Sequence, residues 1–258
     1  MTILDAGILG LVEGITEFLP ISSTGHLILA SSILGLPATE FLKSFEIAIQ
    51  LGAIAAVVLL YWRSFLSLTI LKKLVVGFIP TGIIGLLLYR VVKTYLLGNE
   101  LVVVAALFVG GVFLIAFELL HKENEAGAAS ISDISYRQSF FIGLCQACAI
   151  VPGVSRSAAT IAGGLLLGIR RTAIVEFSFL LAVPTMLAAT SFDLLKHGSS
   201  FSTSDIGSLA AGFVVSFVVA MGAIRLLLQY VRRHSFIPFG VYRIAIATLF
   251  FVYFFVLA

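Results

Sequence analysis

Long apolar stretches separated by short polar segments dominate the chain. A membrane-spanning helix needs about 20 consecutive apolar residues to cross roughly 30 Å of hydrocarbon. Six stretches come close enough to that length to be predicted spans: Phe45 to Trp62, Leu74 to Val92, Leu101 to Leu120, Ile174 to Leu195, Ile206 to Val231 and Gly240 to Ala258. The pattern therefore predicts an all-α integral membrane protein with six transmembrane helices.

Two further apolar segments, residues 3–34 and 139–169, are interrupted near their middles. The interruptions read Pro-Ile-Ser-Ser-Thr-Gly at 20–25 and Pro-Gly-Val-Ser-Arg-Ser at 152–157. Each half is only about 15 residues long, which is too short to span a bilayer. Proline lacks a backbone donor, and hydroxyl residues favour the start of a new helix. We therefore expect two re-entrant helix-turn-helix hairpins, whose irregular turns must be surrounded by protein or by a wet cavity.

The two interrupted segments match each other at a constant offset of 133 residues. Gly10 then falls on Gly143, and Ser22 falls on Ser155. Each half of the chain contains one hairpin followed by three spans, and an odd number of crossings leaves the second half upside down. The prediction is one membrane domain with an inverted-topology repeat. Its two repeats are residues 1–121 and 134–258, joined by a cytoplasmic loop.

Composition and charge agree with a membrane location. The chain is 60% hydrophobic and 11% charged, whereas a soluble protein carries roughly 25% charged residues. The net charge of +3 is too small and scattered to predict a nucleic-acid partner. Most Lys and Arg residues fall on the side opposite the termini, which predicts that side to be cytoplasmic. The residues assigned to it are Arg63, Lys72, Lys73, Lys122, Arg137, Arg170, Arg171, Arg225, Arg232, Arg233 and Arg243. Both termini and the entrance of the first hairpin are therefore predicted to face the outer side.

Several ionisable residues lie at predicted membrane depth. Glu13, Glu17 and His26 belong to the first hairpin, and Arg156 belongs to the turn of the second. The most hydrophilic side chains cost about 2.5–3.5 kcal/mol each to insert at the centre of a membrane helix. Since inverted hairpins enter from opposite faces and meet near the midplane, we expect these four side chains to converge in one polar chamber. Gln50 and Glu176 are expected within reach of it, although Glu176 lies near a span end, where pairing at the interface is the simpler interpretation.

The two glutamates are candidate metal ligands. Glu13 and Glu17 are four residues apart and share a helical face. Two carboxylates in a low dielectric either share a proton or hold a cation. Mg²⁺ or Ca²⁺ suits such oxygen ligands, and a substrate phosphate can complete the coordination shell. The alternative is that both carboxylates simply pair with Arg156 and hold the hairpins together.

Three hydroxyl residues, Ser22, Ser23 and Thr24, precede His26 in the first turn. Ser23 and His26 are three residues apart, so in a starting helix they share a face, and we expect a hydrogen bond between them. That pairing is typical of a nucleophile and its base. The alternative is that Ser22 or Ser23 caps the outgoing helix while the histidine is satisfied in a polar pocket.

The second turn carries candidate anion-binding groups. Ser155, Arg156 and Ser157 follow a Pro-Gly pair and precede an apolar helix. Backbone N–H groups at a helix start, two hydroxyls and a guanidinium together form a cradle for phosphate, which arginine can grip through two parallel hydrogen bonds. Thr160 lies one turn further and is expected to add a donor.

The residues from Gly10 to His26 (GLVEGITEFLPISSTGH) and from Pro152 to Thr160 (PGVSRSAAT) resemble the two motifs of the undecaprenyl pyrophosphate phosphatase family, which is associated with bacitracin resistance. Length, hairpin placement and span count extend the resemblance over the whole chain. It implies an integral enzyme of the bacterial inner membrane, with both termini and the active-site opening on the outer side. This enzyme removes the terminal phosphate of undecaprenyl pyrophosphate and so recycles the lipid carrier of cell-wall synthesis. The resemblance also implies a divalent cation, Mg²⁺ or Ca²⁺, and an isoprenyl pyrophosphate lipid as substrate; a homodimer is left open.

The resemblance implies a role for each motif residue. Glu13 and Glu17 belong to the metal and acid group, and Ser23 and His26 belong to the hydrolytic centre. The pyrophosphate-binding group is expected to contain Arg156 together with Ser22, Thr24, Ser155, Ser157 and Thr160. These residues leave two schemes open. Either Ser23, activated by His26, attacks the terminal phosphorus, or water attacks directly with His26 or Glu17 as its base.

Two other functions remain as alternatives. Inverted repeats with broken helices are the architecture of many transporters, so a polyprenyl-phosphate flippase is one of them. The second is the group of membrane lipid phosphatases with a Pro-Ser-Gly-His motif, which residues 23–26 faintly resemble. That group pairs the motif with a histidine soon after Ser-Arg, whereas here none follows Arg156 before His197. It also has no counterpart of Glu13 and Glu17.

Overall fold

The computed structural model describes residues 1–96, 99–124, 126–197 and 205–257. Within these ranges the chain is largely α-helical and contains no β-strand. The α-helices are α1 (Ile3–Thr16), α2 (Ser23–Ile33), α3 (Glu40–Leu60), α4 (Trp62–Phe65), α5 (Leu68–Val91), α6 (Glu100–Leu120), α7 (Tyr136–Ala147), α8 (Arg156–Leu166), α9 (Arg171–His197), α10 (Ile206–Val231) and α11 (Ile237–Val252). Short 3-10 helices occupy Ile131–Asp133 and Cys148–Ile150, and π-helical turns occupy Val92–Leu96 and Tyr253–Leu257.

Six helices of the described residues are long and apolar enough to cross a membrane: α3, α5, α6, α9, α10 and α11. This confirms the predicted all-α, multi-pass membrane protein. α3 begins at Glu40, earlier than predicted, because the Thr39 hydroxyl caps it by accepting a hydrogen bond from the Leu42 N–H at 3.1 Å. The predicted end of the last span, Ala258, lies outside the described residues.

Both interrupted segments break where the sequence predicted. The break between α1 and α2 contains Ser22 with φ 71°, and the break between α7 and α8 contains Ser155 with φ 74°. Elsewhere in the described chain a positive φ occurs only at glycine. A non-glycine residue in this region costs about 1–3 kcal/mol and persists only where its surroundings hold it. The same strained conformation therefore occurs at positions that are 133 residues apart.

Glycine brings the broken segments close to other helices. In α1, an added Cβ at Gly10 would lie 2.5 Å from the carbonyl oxygen of Gly212 in α10. In α7, a Cβ at Gly143 would collide with the Gly77 carbonyl of α5. Only residues without a side chain permit these backbones to approach so closely. α1 therefore packs along α10, and α7 packs along α5, which fixes both breaks in the interior.

Candidate functional site

A cavity of about 200 Å³ lies where the two breaks meet. Both breaks contribute to its wall, and α3, α5, α7 and α9 complete it. The lining residues are Glu17, Ser22, Ser23, Thr24, Gln50, Thr81, Gln146, Ala149, Ile150, Val151, Pro152, Gly153, Ser155, Arg156, Thr185 and Met186. The structure therefore brings together most of the residues that the sequence singled out, including Gln50, whereas Glu176 is not among the lining residues.

Side-chain contacts join the two breaks directly. The Arg156 Nη2 donates to Glu17 Oε1 at 3.2 Å, and this ion pair is buried. The Ser157 hydroxyl donates to the Leu19 carbonyl at 2.8 Å. The turns of the two segments are therefore in direct contact with each other.

Glu17 is the centre of the polar network. Its Oε2 accepts a hydrogen bond from the Ser23 hydroxyl at 2.5 Å, while its Oε1 pairs with Arg156. The side chain is only 7% exposed, so little water competes for these contacts. A carboxylate in this position orients the serine hydroxyl and is a ready acceptor for its proton.

His26 does not bond to Ser23, so the predicted hydrogen bond between them is wrong. The His26 Nδ1 contacts the Ser22 carbonyl at 2.8 Å, and its Nε2 contacts the Tyr242 hydroxyl at 2.8 Å. Ser23 is the first residue of α2 and faces back towards Glu17. His26 lies one turn further, where its ring stacks on Tyr242 of α11, with the centroids 5.5 Å apart. Tertiary packing therefore separates two side chains that share a helical turn.

Glu13 is not among the residues that line the cavity. Its side chain is fully buried with its carboxyl group against that of Glu17, and neither oxygen has a hydrogen-bond partner in any other described residue. Two buried carboxyl groups in contact either share a proton or hold a cation. Within the described parts of the chain, no three His, Cys, Asp or Glu side chains form a group that could hold a metal ion. A cation at Glu13 and Glu17 would therefore need further oxygens from substrate or water.

One nitrogen of the Arg156 guanidinium, the buried Nε, has no hydrogen-bond partner among the described residues. The Arg156 Nη1 donates to the Ser178 carbonyl at 2.8 Å, and its Nη2 donates to Glu17. Ser155 accepts a hydrogen bond from the Ala158 N–H at 3.3 Å and so caps α8. An arginine with a free N–H beside a capped helix start is suited to receive a phosphate.

Two predicted binding residues face away from the cavity. The Thr160 hydroxyl is fully buried and lies 2.6 Å from the Ser178 hydroxyl. Ser157 is directed towards Leu19. Neither residue lines the cavity. Their contacts instead hold α8 against α9 and against the first break.

Sequence reasoning missed Thr81 and Thr185 of the cavity wall. The Gln146 Nε2 donates to both hydroxyls at 3.0 Å. Each threonine in turn donates its only proton to a backbone carbonyl, at Gly143 and Leu181, and both distances are 2.8 Å. The amide orientation is thereby fixed, and the buried Gln146 Oε1 is left without a partner among the described residues. The available signal was a Pro-Thr pair within each of the two apolar spans that carry these threonines, at 80–81 and 184–185.

Comparison with known proteins identifies the family. The profile of the bacitracin resistance protein BacA family matches residues 6–249. The chain belongs to this family. Two similar relatives are both named undecaprenyl-diphosphatase. The protein from Sulfurihydrogenibium sp. is 52% identical over 254 residues, covering 98% of this chain and 100% of the relative. The protein from Aquifex aeolicus is 49% identical over 255 residues, covering 98% and 99%.

The BacA match includes every residue of the cavity wall. Both breaks, five of the six long apolar helices, most of the sixth, and the Glu17–Arg156 pair fall inside the matched range. Similarity therefore extends over nearly the whole chain of this BacA family member and is not confined to short motifs.

Proposed function

We propose that the chain hydrolyses undecaprenyl pyrophosphate to undecaprenyl phosphate and inorganic phosphate, and so recycles the lipid carrier of cell-wall synthesis. The observation that carries this proposal is the continuous contact from Ser23 through Glu17 to Arg156 at the cavity wall. It combines a hydroxyl, a proton acceptor and a phosphate-binding cation. The names of the relatives and the six apolar helices support a lipid pyrophosphate as substrate.

The contacts favour Ser23 as nucleophile and Glu17 as its base. The Ser23 oxygen attacks the terminal phosphorus, its proton passes to Glu17, and the anhydride bond to the lipid-linked phosphate breaks. Arg156 contacts the oxygens on which charge develops. Water then hydrolyses the phosphoserine and releases inorganic phosphate. Direct attack by water, with Glu17 as base and Ser23 only orienting the substrate, is the competing scheme.

Glu13 and Glu17 are the residues that would hold a divalent cation, Mg²⁺ or Ca²⁺. Glu13 is the better ligand, because among the described residues its oxygens contact no polar group but Glu17, whereas the Glu17 oxygens also bond to Ser23 and Arg156. When bound, such an ion supplies positive charge beside the phosphate oxygens. His26, held by Ser22 and Tyr242, fixes the start of α2.

We also propose that the two broken segments are re-entrant hairpins of an inverted-topology repeat. The helix packing supports the repeat. α1 packs on α10 and α7 packs on α5, and at the offset of 133 residues α1 is equivalent to α7 and α5 is equivalent to α10. The matching positive φ values of Ser22 and Ser155 support it as well. The repeats are residues 1–121 and 134–258. The basic residues favour an inner-membrane orientation with both termini and the cavity opening outside. A homodimer stays a prediction.

Phosphate release by purified protein in detergent tests the proposed function. With a long-chain isoprenyl pyrophosphate we expect release in Mg²⁺ or Ca²⁺ and a loss of at least about 10²-fold in excess EDTA, restored by adding the ion. Full activity in EDTA would contradict the metal site. No gradient exists in detergent, so an absence of hydrolysis under all conditions would favour the flippase alternative.

Replacing Arg156 by Lys should reduce kcat/KM for phosphate release by about 10²-fold, because a compact ammonium lacks the planar guanidinium whose separate nitrogens reach Glu17, Ser178 and a phosphate. Steady-state kinetics across substrate concentrations measure the effect. Arg137→Lys, a change outside the cavity wall, is the matched control and should retain activity. If Arg156→Lys retained the same kcat/KM as Arg137→Lys, Arg156 would not take part in phosphate binding.

A further inference from the structure

Arg243 of α11 is fully buried and uses every donor of its guanidinium on backbone carbonyls. A guanidinium has five N–H donors in a fixed planar arrangement. Its Nε donates to Leu107 at 3.3 Å. Its Nη1 donates to Pro20 at 3.2 Å and to Val154 at 3.0 Å, and its Nη2 donates to Ala106 at 3.0 Å and to Gly153 at 2.9 Å. The acceptors belong to three separate parts of the chain: the first break, the second break and α6.

This position corrects the assignment of Arg243 to the cytoplasmic surface. Charge counting treats each Arg near a span end as solvated, but Arg243 is six residues into α11 and its side chain lies at the contact between the two breaks. No carboxylate pairs with it among the described residues, so carbonyl dipoles alone solvate the charge. A buried cation without an anionic partner is costly, which points to a role beyond packing.

Glycine on α6 makes room for the guanidinium. A Cβ added at Gly110 would collide with Arg243 Nη2. At the offset of 133, Gly110 is also the position equivalent to Arg243, so an arginine faces a glycine where the two halves of the chain meet. A single guanidinium therefore hydrogen-bonds to both breaks. Of the equivalent positions 110 and 243, only position 243 carries an arginine.

The acceptors adjoin the strained backbone of both breaks. Val154 directly precedes Ser155, and Pro20 lies two residues before Ser22. Both serines have a positive φ, which requires support from surrounding contacts. The residues that follow them, Ser23 and Arg156, both contact Glu17. The carbonyls of the two breaks that Arg243 binds thus lie within three residues of Ser23 or Arg156, the two groups that meet at Glu17.

We propose that Arg243 is a positioning residue: it fastens the two breaks to each other and to α6, and so sets the separation at which Ser23, Glu17 and Arg156 meet. The expected effect on turnover rests on the proposed function. The fastening, by which we mean the hydrogen bonds that hold the breaks together, does not depend on it. If Arg243 acted only through its positive charge, Arg243→Lys would preserve its role. It would not preserve the role proposed here, because a lysine ammonium cannot reach carbonyls in three segments.

Two variants and one control test the fastening. Arg243→Lys removes most of the five contacts. Gly110→Ala leaves the arginine in place but pushes its guanidinium away from the carbonyls. Gly222→Ala makes the same substitution within helix α10, where nothing lies within 4 Å of the added Cβ, and is the matched control. Hydrogen–deuterium exchange of each full-length protein in detergent is read by mass spectrometry, and kcat and KM are measured on the folded, monodisperse fraction.

We expect faster exchange in peptides covering residues 17–26 and 150–158 of both variants, with α3 and α9 unchanged and Gly222→Ala like wild type. Displacing reacting groups by about 1 Å can cost 10²-fold in rate, so kcat should fall by about 10²-fold in Arg243→Lys and about 10-fold in Gly110→Ala. Unchanged exchange at both breaks, or faster exchange throughout the protein, would overturn the proposal. So would wild-type kcat in Arg243→Lys. A wild-type protein without phosphatase activity would instead contradict the proposed function, and the exchange data would still decide the fastening.

Discussion

Ser23→Ala should lower kcat for phosphate release by about 10⁴-fold or more, corresponding to roughly 5.5 kcal/mol of activation free energy. The reason is that the Ser23 hydroxyl, held 2.5 Å from Glu17 Oε2, is the group that receives the phosphoryl in the proposed mechanism. Without it no covalent intermediate forms. Rapid-mix kinetics with a radiolabelled terminal phosphate measure both turnover and any phosphoprotein in the wild type.

The same helix offers a control for this change. The Ser31 hydroxyl donates to Glu46 Oε1 at 2.7 Å, so α2 carries a second buried serine bonded to a carboxylate, outside the cavity wall. Ser31→Ala should stay within about 3-fold of wild type, since most substitutions away from a site change function little. A residual rate of a few per cent in Ser23→Ala, with no phosphoprotein in the wild type, would replace the serine scheme by direct attack of water.

Glu17→Gln should reduce kcat by about 10³-fold, because a general base contributes 10²–10⁴-fold and a neutral amide cannot take the proton of Ser23. The change also removes the negative charge that Arg156 pairs with at 3.2 Å. Glutamine keeps the shape and one acceptor, so it limits the destabilisation of about 3–5 kcal/mol expected when a buried ion pair is broken.

Glu46→Gln is the matched control for Glu17→Gln, because it alters the other carboxylate that bonds to a serine of α2. We expect it to retain most of the activity. Thermal unfolding of both variants in detergent separates loss of fold from loss of chemistry. If the two variants lose the same activity at equal stability, the special role of Glu17 is excluded.

The sequence predicted the membrane architecture well. The six long apolar helices lie where the apolar stretches predicted them, and both breaks occur at the predicted Pro- and Ser-containing turns. The cost of placing polar side chains in hydrocarbon leaves few arrangements for such a pattern. For the same reason Glu17 and Arg156 could be expected to meet. Thr81 and Thr185 were missed because the Pro-Thr pairs at 80–81 and 184–185 mark a polar position within an apolar span but not the direction in which its side chain points.

The sequence alone determined the fold class, the two breaks and the chemical groups available at them, since length, hydrophobicity and proline position act locally along the chain. Only the tertiary structure decided which groups meet. Ser23 contacts Glu17 and not His26, because α11 places Tyr242 against the histidine. Arg243, which charge counting assigned to the surface, is instead bonded to both breaks. The contacts of Tyr242 and Arg243 join residues more than 80 positions apart, and local pattern carries no information about the direction in which side chains point.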